Sequence, residues 1–119
     1  MRPAPRVMIA EDEFLVALSL EEDLRANGFT VLGPYSTIEE ASQAVAREAI
    51  DAALLDINMR GRLAFSVADL LKIRGVPYLF LSGYNGSILP EPHRNVPCLA
   101  KPYEPLSLMR ELHRLMSAS

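Results

Sequence analysis

The fold is constrained most by Ala52-Ala53-Leu54-Leu55-Asp56, in which four apolar residues end at one acid. A strand that is apolar at every position is typical of a parallel sheet covered on both faces. The same pattern occurs earlier in the chain, where Val7-Met8-Ile9-Ala10 is followed by Glu11-Asp12-Glu13. The repetition predicts two buried strands whose carboxyl ends carry acidic side chains.

Segments of helical period separate five such apolar runs, and this alternation predicts a parallel sheet with crossover helices. The other three strands are predicted at 30–32, 78–81 and 96–100. The last should lie at a sheet edge, because Pro97 cannot donate a hydrogen bond to a neighbouring strand. We therefore predict a flavodoxin-like α/β domain, a (βα)5 three-layer sandwich around a five-stranded parallel sheet of order 2-1-3-4-5.

Helices are predicted over about 14–27, 36–48 and 64–74, and from 104 onward. Ser36-Thr37-Ile38-Glu39 has the spacing of a capping box, which would open the second helix. Pro90 and Pro92 interrupt the stretch 84–95, so we expect a short or distorted fourth crossover helix there. Leucines and methionines at helical spacing predict the buried faces of the first and last helices: Leu15, Leu18, Leu20, Leu24, Leu106, Met109, Leu112 and Met116.

Length and charge restrict the function classes. A chain of 119 residues with a net charge of −3 fits one domain over 1–119, with 1–5 expected to be flexible. Its basic residues are scattered, which argues against nucleic acid as a direct ligand. Apolar runs reach only about five residues, far fewer than the ~20 that span a bilayer. The single Cys98 allows no internal disulfide, and we expect a cytoplasmic protein.

The carboxyl ends of parallel strands share one edge of the sheet, where ligands bind in open α/β folds. Glu11, Asp12, Asp56, Ser82 and Lys101 follow or end the predicted strands. Three carboxylates this close repel one another, so a hard divalent cation such as Mg²⁺ is expected among them. Asp56 is then a candidate nucleophile toward phosphorus, Glu11 and Asp12 candidate metal ligands, Ser82 a hydroxyl donor and Lys101 a counter-charge.

At these candidate site residues, and over 6–116 as a whole, the sequence resembles the receiver domain of bacterial response regulators in two-component signalling. The matching motifs are Glu11-Asp12, Leu54-Leu55-Asp56-Ile57-Asn58, Ser82-Gly83 and Lys101-Pro102. The resemblance implies that Asp56 accepts a phosphoryl group from a sensor histidine kinase or a histidine phosphotransfer protein. It implies no enzyme activity beyond Mg²⁺-dependent self-phosphorylation and autodephosphorylation.

The resemblance also implies the metal ligands. Asp12 would bind Mg²⁺ directly, Glu11 mostly through water, and the main-chain carbonyl of Asn58 would complete the set beside Asp56. The bond that joins Lys101 to Pro102 would be cis.

Two positions concern how phosphorylation is reported. Cys98 stands where most receivers carry a Phe or Tyr in the last strand. The motif Phe80-x-Ser82-Gly83-Tyr84 resembles a subgroup of stand-alone bacterial receivers. We hypothesise that Tyr84, or the segment 85–95, reports phosphorylation, and that the protein acts by docking to a downstream protein or by passing phosphate onward.

Alternatives to this function remain open. The chain could be a receiver-like protein-binding module that is never phosphorylated. It could be an aspartyl-nucleophile phosphatase of the haloacid dehalogenase type, although that family expects Asp where Asn58 stands. A flavin-binding domain of this fold would avoid the acids after the first strand. Away from the site, Glu13 is interpreted as a first-turn acid, Cys98 as a small buried residue and His93 as a loop residue without metal-ligand spacing.

Overall fold

The computed structural model describes residues 3–83 and 89–117. Strands and helices alternate along this part of the chain, with a short hairpin after the third strand and a 3₁₀ turn before the last. The elements are β1 (Arg6–Ala10), α1 (Phe14–Ala26), β2 (Thr30–Tyr35), α2 (Ile38–Arg47), β3 (Ala52–Asp56), β4 (Asn58–Met59), β5 (Arg62–Leu63), α3 (Phe65–Arg74), β6 (Tyr78–Ser82), a 3₁₀ helix (Glu91–His93), β7 (Cys98–Ala100) and α4 (Pro105–Ser117).

Five strands form one parallel sheet in the order β2-β1-β3-β6-β7. These are the five predicted strands in chain order, so the predicted order 2-1-3-4-5 is confirmed. The strands β4 and β5 form a separate antiparallel hairpin between β3 and α3. All strands of the main sheet therefore point their carboxyl ends toward the same edge.

Helices cover both faces of this sheet. Side chains of α2 and α3 pack with Ala53 and Leu55 of β3 on one face. Side chains of α1 and α4 pack with Ala52 and Leu54 on the other. Successive residues of a strand point to opposite faces, so a central strand must be apolar at every position to serve two cores. That requirement explains the run of residues that precedes Asp56.

Three leucines predicted on the buried faces of α1 and α4 are exposed instead. In α1 the buried residues are Ala17, Leu20 and Leu24, while Leu15 is 76% exposed. Leu15 lies two residues, or about 200°, from Ala17 around the helix, so it points away from the sheet. Leu18 is also exposed, and both expectations were wrong.

In the last helix Met109 and Leu112 are buried as predicted, together with Leu108, and only Leu106, at 69% exposed, was wrong. Met116 is partly buried, as expected. Among the described residues no helix combines the length and the apolar content that crossing a membrane requires.

The N-terminus of α2 is capped one residue later than predicted. The Thr37 hydroxyl oxygen accepts a hydrogen bond from the Glu40 backbone N–H at 3.1 Å, whereas Ser36 donates to the Glu40 carboxylate at 3.2 Å. Glu39 instead forms an exposed ion pair with Arg62. The N-cap is therefore Thr37, and the Glu40 carboxylate accepts hydrogen bonds from the Ser36 and Thr37 hydroxyls at 3.2 Å each.

Where a fourth crossover helix would stand, the described residues form only the 3₁₀ helix Glu91–His93, which agrees with the expected short or distorted element. His93 differs from its interpretation as a loop residue, since it is 1% exposed. Its Nδ1 lies 2.5 Å from the Tyr78 hydroxyl and its Nε2 lies 2.7 Å from Asp69 Oδ1. Phe65 stacks on its ring. His93 thus attaches this segment to α3 and β6.

Cys98 is exposed, so its interpretation as a small buried residue was wrong. The reason is the length and position of β7. This edge strand has only three residues, and Cys98 and Ala100 on it are exposed while Leu99 faces the core. An edge strand with one well-covered face leaves its alternate side chains in solvent.

Candidate functional site

The acidic side chains predicted at the sheet edge meet there. Glu11 and Asp12 follow β1, Asp56 ends the neighbouring β3, and one carboxylate oxygen from each of these three residues lies within 4.8 Å of the others. Glu11 and Asp56 are buried, and Asp12 is partly exposed. The cluster is therefore open to solvent on the Asp12 side.

Lys101 reaches the cluster from the end of β7. Its Nζ donates to Glu11 Oε1 at 2.8 Å and lies 3.3 Å from Asp56 Oδ2. The Lys101 backbone N–H donates to the Ser82 carbonyl at 2.8 Å, which ties it to the end of β6. The peptide bond between Lys101 and Pro102 is cis, as the resemblance implied.

The pKa values of the cluster reflect its crowding. Burial, together with a hydrogen bond to Asp56, raises the pKa of Glu11 to about 8 against the opposing effect of Lys101. Burial acts to lower the pKa of Lys101, but its hydrogen bonds to Glu11 and Glu13 outweigh this effect, so its pKa is raised. The ammonium thus stays charged, while the raised pKa keeps Glu11 largely protonated at neutral pH.

The donor set fits a hard divalent cation. Carboxylate oxygens are the ligands that Mg²⁺ prefers, usually one or two of them together with water. The raised pKa of Glu11 keeps a proton on this carboxyl group near neutral pH, in a cluster where one lysine faces three acids. A cation at the same place would displace that proton.

Asn58 lies in the loop that follows Asp56. Its backbone N–H donates to Asp56 Oδ1 at 3.3 Å, and its side-chain oxygen accepts from the Gly61 N–H at 3.0 Å. The bond from Asn58 makes Asp56 the first residue of a local turn. This is a common role for an aspartate at the end of a strand. The predicted use of the Asn58 carbonyl as a metal ligand stays a prediction.

The hairpin of β4 and β5 contributes to the site in a way the sequence analysis missed. Arg60 and Gly61 connect its strands and both have positive φ, 54° and 80°, as the tightest hairpin turns require. This conformation lets the Arg60 N–H donate to Asp12 Oδ2 at 2.8 Å. Gly61 alone was a sequence signal for this turn. Arginine is uncommon at positive φ, so Arg60 gave no indication that a hairpin forms here.

The position of Glu11 depends on an irregularity in β2. Met8 pairs with Leu32 but Ala10 pairs with Tyr35, so β2 holds one extra residue at Gly33 and Pro34. A Cβ at Gly33 would lie 2.8 Å from the Ile9 carbonyl oxygen, and its φ is +93°, so only glycine fits. The extra residue aligns the Tyr35 carbonyl with the Glu11 N–H at 2.9 Å.

The remaining predicted residues fall at different places. Ser82 is buried at the end of β6, between β3 and β7, at the same edge as Asp56. Cys98 lies exposed on β7, three residues before Lys101. Tyr84 and residues 85–88 lie outside the described residues, so the hypothesis that they report phosphorylation stays a prediction.

Glu13 joins the site although it was interpreted as a first-turn acid. Its Oε1 accepts a hydrogen bond from Lys101 Nζ at 2.8 Å, the same distance as Glu11. Beside these acids lies an open cleft of about 430 Å³, lined by Glu11 and Asp12 and by the apolar residues Phe14 and Leu18 of α1. The site thus combines a charged centre with an apolar rim.

Comparison with known proteins gives matches of sequence and of structure, although no protein-family model matches the chain. SdrG from Sphingomonas melonis Fr1 is 32% identical, with 98% of this chain and 99% of that one covered at a TM-score of 0.85. The BeF₃-activated conformation of SdrG matches at a TM-score of 0.80. The receiver domain of the sensor histidine kinase PA1611 from Pseudomonas aeruginosa PAO1 shares the fold at 0.83, with 22% identity over 96% of this chain and 98% of that one.

Among curated proteins, the transcriptional regulatory protein PdtaR of Mycobacterium tuberculosis is 29% identical over 104 residues. The match covers 87% of this chain and 51% of PdtaR. The chain therefore spans about half the length of the curated relatives that it matches.

Proposed function

The chain belongs to the receiver domains of response regulators, and from this premise we propose that it is a phosphoacceptor whose Asp56 is phosphorylated in a Mg²⁺-dependent reaction. The observation that supports the proposal most strongly is the convergence of Glu11, Asp12 and Asp56 within 4.8 Å beside Lys101. This is the charge arrangement that phosphoryl transfer to a carboxylate needs.

In the proposed reaction an Asp56 carboxylate oxygen attacks the donor's phosphorus. A new O–P bond forms as the bond from phosphorus to the donor's leaving group breaks, and the leaving group departs with that electron pair. Asp56 Oδ1 is already held by the Asn58 N–H, so Oδ2, which faces Lys101 at 3.3 Å, is the oxygen we assign as nucleophile. Lys101 and the Ser82 hydroxyl would then bind phosphoryl oxygens, which accept hydrogen bonds strongly.

Bound Mg²⁺ would neutralise charge on the transferring phosphoryl group. We propose Asp12, Asp56 and the Asn58 carbonyl as its direct protein ligands, with Glu11 acting through water. The exposed position of Asp12 and the N–H of Arg60 at its Oδ2 support this arrangement, because they fix one carboxylate at the mouth of the site. The PA1611 receiver domain, which shares this fold, coordinates a magnesium ion in its active site cleft.

We propose a sensor histidine kinase or a histidine phosphotransfer protein as the phosphodonor, in the cytoplasm. Phe14 and Leu15 are three-quarters exposed, and Phe14 and Leu18 line the cleft beside the acids. Apolar side chains at this place would contact a donor protein that presents its phosphorylated residue to Asp56. The phosphorylated protein would then act by docking to a downstream protein or by passing phosphate onward.

Incubation with acetyl phosphate and Mg²⁺, followed by intact mass measurement, tests the proposal. We expect the wild-type mass to increase by one phosphoryl group, and Asp56→Asn to show no increase. Asp51→Asn is the matched control, since Asp51 is an exposed acid five residues earlier whose carboxylate binds the Arg6 N–H instead.

Circular dichroism of each variant shows whether the fold is retained. No phosphoryl addition to a folded wild-type protein that binds Mg²⁺ would contradict the proposal and favour the binding-module alternative.

A further inference from the structure

We propose that Glu13 is a positioning residue for Lys101, which holds the ammonium group in the unphosphorylated protein and releases it when Asp56 is phosphorylated. The inference rests on the proposed function. It starts from the three acidic partners of one ammonium group, at 2.8 Å from Glu11, 2.8 Å from Glu13 and 3.3 Å from Asp56. Two N–H groups of the ammonium donate hydrogen bonds, to Glu11 and Glu13, and its charge pairs with Asp56, so carboxylates already hold Lys101 before a phosphoryl group is present.

The side chain of Glu13 does not serve the helix that it begins. Glu13 is the N-cap residue of α1, and its carbonyl accepts from the Ala17 N–H at 2.9 Å, but its side chain makes no capping hydrogen bond. Ser, Thr, Asp and Asn are the residues favoured at an N-cap. A glutamate here therefore lacks the usual capping benefit, and its carboxylate instead reaches across to Lys101.

Exposure indicates which partner Lys101 would release. The Glu13 side chain is 61% exposed and that of Glu11 is fully buried. Water can replace the ammonium at an exposed carboxylate at little cost, whereas a buried carboxylate that loses its partner is strongly destabilised. Phosphorylation replaces the single negative charge of the Asp56 carboxylate with a phosphoryl group that carries between about one and two negative charges on strong acceptor oxygens. The Lys101 N–H that now donates to Glu13 would then donate to a phosphoryl oxygen.

Two variants test this role. Glu13→Gln removes the charge and keeps the shape, and Glu13→Ser removes the contact while supplying a capping hydroxyl. Glu22→Gln is the matched control, because Glu22 is an exposed acid on the same helix. A purely structural role for Glu13 would make Glu13→Ser neutral or better in every measurement, since serine is the better N-cap.

The first measurement is NMR of the lysine side chains without metal. The chain has two lysines, so Lys72, which donates to the Pro92 carbonyl, is an internal reference for Lys101. We expect the Lys101 side chain to become more mobile in both Glu13 variants and Lys72 to stay unchanged. Equal mobility of Lys101 in wild type and variants would overturn the proposal.

The second measurement is the affinity for beryllofluoride with Mg²⁺, a phosphoryl mimic that already yields an activated conformation of SdrG. Both Glu13 variants should bind it about two- to fivefold more tightly than wild type, the effect expected from one exposed charge pair, and Glu22→Gln should not. Tighter binding with unchanged Lys101 mobility would mean a through-space charge effect and would overturn the positioning role. Absence of binding by the wild type would instead contradict the proposed function itself.

Discussion

At Glu11 a carboxyl group is buried against a second carboxyl group, with one lysine in reach. Its pKa is raised to about 8 from an ordinary value of 4.5. Between these two values the folded protein binds more protons at Glu11 than the unfolded chain does. Stability therefore falls as pH rises from about 4.5 to 8, because folding then requires either proton uptake or a buried charge.

We predict that the free energy of unfolding of metal-free wild type decreases relative to that of Glu11→Gln as pH rises through this range. The glutamine variant lacks the titrating group, so it isolates the contribution of Glu11 from that of other acids and histidines. Urea unfolding at several pH values measures the difference. Saturating Mg²⁺ should reduce this pH dependence, since the cation would displace the proton that Glu11 retains. A constant difference across the range would contradict the pKa assignment.

At the scale of single elements, α2 allows the observed N-cap residue, Thr37, to be tested against the predicted one, Ser36. Thr37→Ala should lower the free energy of unfolding by about 1 kcal/mol, because the Glu40 N–H loses its acceptor. Ser36→Ala should cost less than about 0.5 kcal/mol, since Ser36 only donates to an exposed carboxylate. Urea unfolding of the two variants in parallel measures both, and equal costs would count against Thr37 as the cap.

The 3₁₀ helix Glu91–His93 is attached through a buried polar contact rather than through a hydrophobic face. Tyr78→Phe removes the hydroxyl that lies 2.5 Å from His93 Nδ1 and leaves a buried ring nitrogen unpaired. We expect a loss of about 1–3 kcal/mol in the free energy of unfolding. Tyr35→Phe, at a partly buried position, should cost less, and identical denaturation midpoints would contradict the importance of this contact.

At the scale of the whole molecule, the sheet order and the edge that carries the site were predictable. Both follow from the alternation of all-apolar runs with helical segments and from the acids that end β1 and β3. The strength of this signal has a physical cause, since a strand between two cores tolerates no polar residue until it leaves the sheet. Asp56 is the last residue of β3, and it is the first polar residue of that strand.

The features that the sequence did not predict depend on three-dimensional geometry, which the spacing of residues along the chain does not determine. Packing against the sheet decides which leucines of a helix are buried, and leucine on more than one side of a helix hides this choice, as at Leu15 and Leu106. The contact from Glu13 to Lys101 joins residues 88 positions apart. The turn at Arg60 needs a backbone conformation that its residue type does not favour.

The most direct test of the central claim is the location of the phosphoryl group after reaction with acetyl phosphate and Mg²⁺. Borohydride reduces an aspartyl phosphate to homoserine, so peptide sequencing by mass spectrometry identifies the modified residue. We predict homoserine at position 56 alone and none when Mg²⁺ is chelated before the reaction. Homoserine at Asp12, or at any carboxylate other than Asp56, would contradict the assignment of Asp56 as the phosphoacceptor.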